Sequence, residues 1–165
     1  MKKSGSSKPG NKPPDYKSAL VRAAGLCSRQ EQCTSHIREK LESWNVREQD
    51  VEKILLQLQD EKYLDDGRYA GFYALDKFRF NGWGKIKIAH MMRQKEISEE
   101  LIDRALQQID EDAYFQACLD LVRAKSAAIK DKNLFTRKAK IYRFAAGRGF
   151  EPDLIHRALN LVEKE

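Results

Sequence analysis

The chain has 165 residues, 41% of them hydrophobic and 34% charged, which allows one ordinary domain or a short array of smaller units. Lys and Arg number 31 against 25 Asp and Glu, a net charge of +6; the surplus favours partners with negative charge, nucleic acid or acidic protein surfaces, without choosing between them. No stretch is long and apolar enough to span a bilayer. No apolar segment follows the charged N-terminus as in a secretory signal, and the three cysteines Cys27, Cys33 and Cys118 cannot all pair. The expectation is a monomeric, reduced, cytoplasmic protein with no membrane partner.

Residues 1–17 are rich in Lys, Gly, Ser and Pro and hold too little apolar surface to offset the entropy of ordering, which predicts a disordered basic tail. It serves either as a solubilising segment, the usual role of a charge run, or as an arm that touches phosphates. From residue 18 onward the pattern is helical: proline recurs once, at Pro152, and apolar residues return at three- and four-residue spacing. A first helix runs from about Lys17 to Cys27. Ser28 and Glu31 have the spacing of a capping box that would open a second helix. Ile37, Leu41 and Trp44 line that helix, and Val51, Ile54, Leu55 and Leu58 line a third, with Asn45-Val46-Arg47 as the turn between them. Asp65 or Asp66 would cap a helix through Tyr69, Tyr73 and Phe78. Ser98, followed by Glu99 and Glu100, suits the start of a later helix, where carboxylates meet the positive end of the dipole. Lys130-Asp131-Lys132-Asn133 reads as a loop, and Glu151-Pro152-Asp153 places proline in a helix's first turn.

The pattern repeats. Ile37, Leu41, Val46, Val51, Leu55 and Leu58 form one frame; 51 residues on stand Ile88, Met92, Ile97, Ile102, Leu106 and Ile109, and 53 further on Ile141, Ala145, Phe150, Ile155, Leu159 and Val162. Three copies in one register imply an all-α protein of three tandem three-helix, helix-turn-helix-like repeats forming an elongated curved array. The expected divisions are 18–64, 65–111 and 112–165.

Charge is uneven along the chain. Glu48, Asp50, Glu52, Asp60, Glu61, Asp65 and Asp66 make the stretch 39–66 acidic. The stretch from Asp76 to Lys95 carries Lys77, Arg79, Lys85, Lys87, Arg93 and Lys95 against Asp76 alone. In the third repeat, residues 120–148 carry Arg123, Lys125, Lys130, Lys132, Arg137, Lys138, Lys140, Arg143 and Arg148 against Asp120 and Asp131. One-sided charge of this size suits an anionic partner. Phe78, Phe80 and Trp83 lie in the same segment; apolar residues at helical spacing usually form core, so they are read as filling the join between helices, with stacking on bases as the alternative.

Signs of catalysis are few. No Gly-x4-Gly-Lys-Ser/Thr phosphate loop is present, and Gly147-Arg148-Gly149 reads as a helix junction where glycine permits positive φ. Cys27, Cys33 and His36 lack a second ligand pair for zinc. His90 and His156 are isolated, and Asp65-Asp66 are better explained as helix caps than as metal ligands. The expectation is a protein that is not an enzyme and needs no cofactor or metal.

The run Tyr63-Leu64-Asp65-Asp66-Gly67-Arg68-Tyr69-Ala70 resembles the signature of the RecX family, "YLDD" followed by an arginine, an aromatic residue and alanine. The similarity continues from Phe78 through Gly82-Trp83-Gly84-Lys85-Ile86-Lys87-Ile88 to Lys95-Glu96-Ile97, and upstream from Ala19 to Leu41. It covers roughly residues 18–163. Glu96 stands where the family usually has glycine, and Met91-Met92 replace its usual acidic-leucine pair. The resemblance implies three three-helix repeats that lodge in the groove of the RecA nucleoprotein filament, inhibit its ATP hydrolysis and strand exchange, and bind single- or double-stranded DNA weakly. For such binding the basic residues of the second and third units, Lys77, Arg79, Lys85, Lys87, Arg93, Lys95, Arg137, Lys138, Lys140, Arg143 and Arg148, are expected to meet RecA or DNA through their charge. The competing readings are a helix-turn-helix regulator that reads DNA and a helical-repeat adaptor for another protein. The first needs Arg, Asn or Gln at the start of a recognition helix, where this chain has acids.

Overall fold

A computed structural model describes residues 13–164 of the protein. The expected tail lies outside the described residues as far as residue 12, and Tyr16 and Lys17 already belong to the first helix. Nine helices and no strand occur among the described residues: α1 (Tyr16–Arg29), α2 (Thr34–Ser43), α3 (Glu48–Asp60), α4 (Asp66–Asn81), α5 (Lys85–Arg93), α6 (Glu99–Leu106), α7 (Glu111–Ala128), α8 (Leu134–Gly147) and α9 (Pro152–Val162). They group in threes, each helix packing on the other two of its group. The chain divides after Asp65 into two compact units. The first holds α1–α3 and the second holds α4–α9.

Helix starts follow short polar side chains. Asp15, Ser98, Asp110 and Asn133 each accept from the backbone N–H three residues on, satisfying a donor that the first helical turn leaves unpaired. Pro152 occupies the first turn of α9. The capping box at Ser28 and Glu31 does not form. Helix α1 runs two residues past Cys27, so the Ser28 hydroxyl donates to its own helix at Ala24 O, 2.9 Å away, a bond open to any serine inside a helix. Helix α2 starts later, at Thr34.

The apolar frame becomes the core. Its members are buried in all three repeats except Leu106 and Val162, which are half-buried. One turn explains why the frame recurs. Between the second and third helices of each repeat, Asn45, Glu96 and Gly149 take left-handed φ values of 58°, 59° and 95°. At each, that residue's N–H reaches the carbonyl three back, and the next N–H reaches the carbonyl five back: Val46 to Leu41, Ile97 to Met92, Phe150 to Ala145. This double closure is a Schellman motif, which normally brings two apolar residues together across the helix end. Both members of each pair are buried.

The second and third repeats join through backbone. Gly84 N donates to Arg148 O at 2.8 Å and Ile86 N to Gly149 O at 3.0 Å. A Cβ on Gly84 would lie 2.2 Å from Gly149 C, and one on Gly149 would lie 2.3 Å from Lys87 Cβ, so the joint closes only between two glycines. Tyr114 fills the space beside it. Its ring packs on Phe78 and Phe150 at 5.7 and 5.2 Å. Its hydroxyl accepts from Lys85 N at 2.8 Å and donates to Glu151 Oε2 at 2.6 Å. Burial, and then the Glu151 carboxylate, push the phenol well above its ordinary range, and burial pushes the neighbouring Cys118 thiol up to about 11.

Two outcomes follow for stability. Glu96→Gly should stabilise the protein by about 0.5–1 kcal/mol in urea unfolding, because relief of the left-handed strain exceeds the freedom glycine adds to the unfolded chain. Tyr114→Phe should cost about 1–3 kcal/mol by leaving Lys85 N–H and the Glu151 carboxylate without their shared partner. The folded phenol titrates above its unfolded value of 10.0, so the stability it confers is complete below that pH and is lost as pH rises beyond it. Thermal melts between pH 7 and 11 should show a steeper alkaline fall for the parent than for Tyr114→Phe.

Candidate binding surface

Helix α4 presents two faces. Ala70, Gly71 and Ala74 are buried, and Phe78, four residues beyond Ala74, extends that stripe to Tyr114. Phe80 is about 200° further round and is 82% exposed. Phe80 therefore does not fill the join between helices, in contrast to Phe78. Phe72, 60% exposed, and the exposed Asp76 and Arg79 share its side of the helix at spacings of four, seven and eight residues. Arg79 has no carboxylate partner among the described residues, so α4 offers the solvent two aromatic rings and an open guanidinium.

A second band crosses α4 and α5. Tyr69 and Tyr73 stack at 5.8 Å. Lys77 Nζ lies 5.4 Å from the Tyr73 ring and 5.8 Å from the Trp83 ring. Lys87 lies 4.6 Å from Trp83, and Lys95 5.8 Å from Tyr73. Ammonium groups at this range are held against aromatic faces by the ring quadrupole. Lys77 also touches Asp76 at 3.1 Å.

Other residues expected at the interface are engaged within the fold. Lys85 is only 16% exposed and pairs with Glu111 at 2.5 Å. Arg93 grips Glu99 with two hydrogen bonds of 2.5 and 2.9 Å, holding the Glu99 carboxyl below its usual range. Arg137 donates to Ser126 O and Oγ, both at 2.8 Å, and so ties α8 to α7. Lys138 pairs with Glu163 at 2.6 Å and Lys140 with Asp131 at 2.9 Å. Arg148 donates to Asn81 O in the joint between repeats, where its buried Nε has no hydrogen-bond partner. Arg143 is exposed and meets no carboxylate among the described residues.

Sequence reasoning did not single out Phe72, Phe135 or Phe144 as surface residues. Phe135 is 83% exposed beside Leu134 at the start of α8. The signal was available in the helical register: each falls off the buried stripe of its own helix. Among the described residues no group of three His, Cys, Asp or Glu side chains is placed to hold a metal ion, and no helix is long and apolar enough to cross a membrane. Helices α3, α6 and α9 open on Glu48 and Asp50, Glu99 and Glu100, and Asp153, which would repel phosphate from the last helix of each repeat.

Comparison with known proteins adds to this geometry. The family model of the second three-helix domain of RecX matches residues 65–106, and that of the third matches residues 111–159. The chain is 32% identical to the regulatory protein RecX of Chlorobium phaeobacteroides (strain BS1) over 90% of its own length and 95% of that protein's. To the regulatory protein RecX of Acinetobacter baylyi it is 31% identical, over 87% of each chain. Its fold matches the crystal structure of RecX from Lactobacillus salivarius with a TM-score of 0.84 at 18% identity, over 91% of this chain and 97% of that one. A second crystal structure, of a regulatory protein RecX, matches with a TM-score of 0.81 at 25% identity, over 91% of this chain and 72% of that one.

The basic residues should separate by stability. Arg148→Ala should cost about 1–3 kcal/mol, since it removes a charge-assisted bond across the joint. Arg79→Ala and Arg143→Ala should stay within about 0.5 kcal/mol of the parent. Urea unfolding of the three variants checks this.

Proposed function

The chain belongs to the RecX family, and we propose that it binds the RecA nucleoprotein filament and inhibits its ATP hydrolysis and strand exchange, so modulating homologous recombination and DNA repair. Its relatives are named as regulatory proteins, and the role read here is binding. The observation that carries the reading is the outer face of α4, where Phe72 and Phe80 stand exposed beside an unneutralised Arg79. Exposed aromatic rings next to an arginine are the composition of an interface hot spot. Lys87 adds positive charge on the neighbouring band, which suits a partner already wrapped on DNA. A reader of duplex sequence is less well supported, because the acidic first turns of α3, α6 and α9 disfavour docking against phosphate.

The test is the DNA-dependent ATPase of the matching RecA with this protein titrated in. Inhibition is expected well below one copy per RecA protomer. Phe80→Ser and Arg79→Glu should each raise the half-inhibitory concentration about tenfold, with unchanged helicity by circular dichroism. An unaltered ATPase together with no binding to the filament would overturn the reading. Tight binding to duplex DNA alone would favour the DNA regulator.

A further inference from the structure

The third repeat holds a cavity that the proposed function leaves unused. Its volume is 410 Å³, and it opens between the end of α7, the start of α8 and the end of α9. Leu134, Ile141, Leu159 and Val162 give it aliphatic walls, and Arg137 and Lys138 stand at their edge. Apolar walls with a few placed polar groups are the usual make-up of a binding site.

The repeated frame shows what such a place receives. Lys138, Ile141, Leu159 and Val162 stand 53 positions after Lys85, Ile88, Leu106 and Ile109. In the second repeat the start of α5 is covered by the first turn of α7, which opens on Glu111 and Asp112 and carries Tyr114 one turn in. The Tyr114 hydroxyl accepts from Lys85 N at 2.8 Å. Its ring lies 4.7 Å from Lys85 Nζ, and Glu111 pairs with that ammonium at 2.5 Å, leaving Lys85 16% exposed. Lys138, at the equivalent place, is 49% exposed. An acidic, aromatic helix start thus fills in the second repeat the position that is open to solvent in the third.

Two differences fit the cavity to a separate partner. Arg137 stands where the second repeat has Gly84. The backbone closure that joins repeats two and three tolerates no Cβ at Gly84, so it cannot form on Arg137. Helix α8 also starts at Leu134, a turn ahead of Lys138, whereas α5 starts at Lys85 itself. The added turn makes Leu134, 69% exposed, a wall of the cavity. Charge favours an acid. Arg137 donates to Ser126 O and Oγ, neither of them an anion, while Lys138 and Glu163 neutralise each other at 2.6 Å. The Arg137 charge therefore stands uncompensated at the edge of an apolar opening.

We infer that this cavity docks a helix of a partner protein that opens on acids and carries an aromatic side chain one turn in, the chemistry that α7 presents to the second repeat. The ring enters between the aliphatic walls, and the carboxylates meet Arg137, whose planar fork suits them. The outer face of α4 takes no part, so the inference goes beyond the proposed function and does not rest on it.

The probe is a synthetic peptide of residues 110–117, the cap and first two turns of α7, with blocked ends. It is titrated into the isotope-labelled full chain without RecA. Amide NMR signals around Leu134, Arg137 and Val162 should shift saturably below about 1 mM peptide. Leu134→Asp, at an exposed position, should weaken binding about tenfold, and Arg137→Gln by about three- to tenfold, both with helicity unchanged by circular dichroism. The peptide bearing Tyr114→Ala should bind about tenfold more weakly. The chain bearing Phe80→Ser, on the α4 face, should bind the peptide as the parent does. The inference is overturned by absence of binding, by shifts confined to another surface, or by equal binding in the parent and Leu134→Asp. A dimer of the chain that Leu134→Asp abolishes would overturn it as well, because the cavity would then belong to a second copy. Loss of RecA inhibition with peptide binding intact would sink the proposed function alone.

Discussion

The left-handed residue between the second and third helix of each repeat is the constraint on which the fold depends. A three-helix unit of about fifty residues buries few side chains, so its core closes only if the last two helices meet at a fixed angle. The turns at Asn45, Glu96 and Gly149 fix that angle with two backbone hydrogen bonds each. They also place Val46, Ile97 and Phe150 at the core edge, where the third helix begins. Asparagine and glycine tolerate the geometry; glutamate does so at a cost carried by the packing of Met92 and Ile97.

That constraint explains what was legible in the sequence. The repeated frame is visible because the same pair of positions must be apolar on each side of the same turn. Helix starts were legible where a polar cap is followed by acids, as at Ser98, or by proline, as at Glu151. Ser28 and Glu31 misled because the capping-box spacing also occurs inside a helix end, and only the length of α1 decides between the two. Contacts between repeats left no comparable trace. Nothing in the spacing of Gly84, Tyr114 and Glu151 announces that Tyr114 O–H bridges a helix start in one repeat and a helix cap in the next.

The surface was legible as a charge total and illegible as an arrangement. A basic segment says that cations outnumber acids; it does not say which cations already have partners. Lys85, Arg93, Lys138 and Lys140 find carboxylates from distant or neighbouring positions, while Arg79 and Arg143 meet none among the described residues. Aromatic residues divide in the same way. Phe78 and Phe80 are two positions apart in one helix, yet one meets Tyr114 and the other faces solvent, because helical rotation decides which neighbour each can reach.

The joint between the second and third repeats has a consequence for how such a protein can grow. It requires a left-handed residue without a side chain facing Gly84 and Lys87, and Gly149 supplies it. The equivalent residue of the second repeat is Glu96, whose Cβ would collide with any incoming strand of backbone. A duplicate of the second repeat therefore cannot take the place of the third, and inserting one would leave Gly84 without a surface to close on. The repeats share an ancestry of pattern but are no longer interchangeable parts, and the order in which they follow one another is written into two glycines.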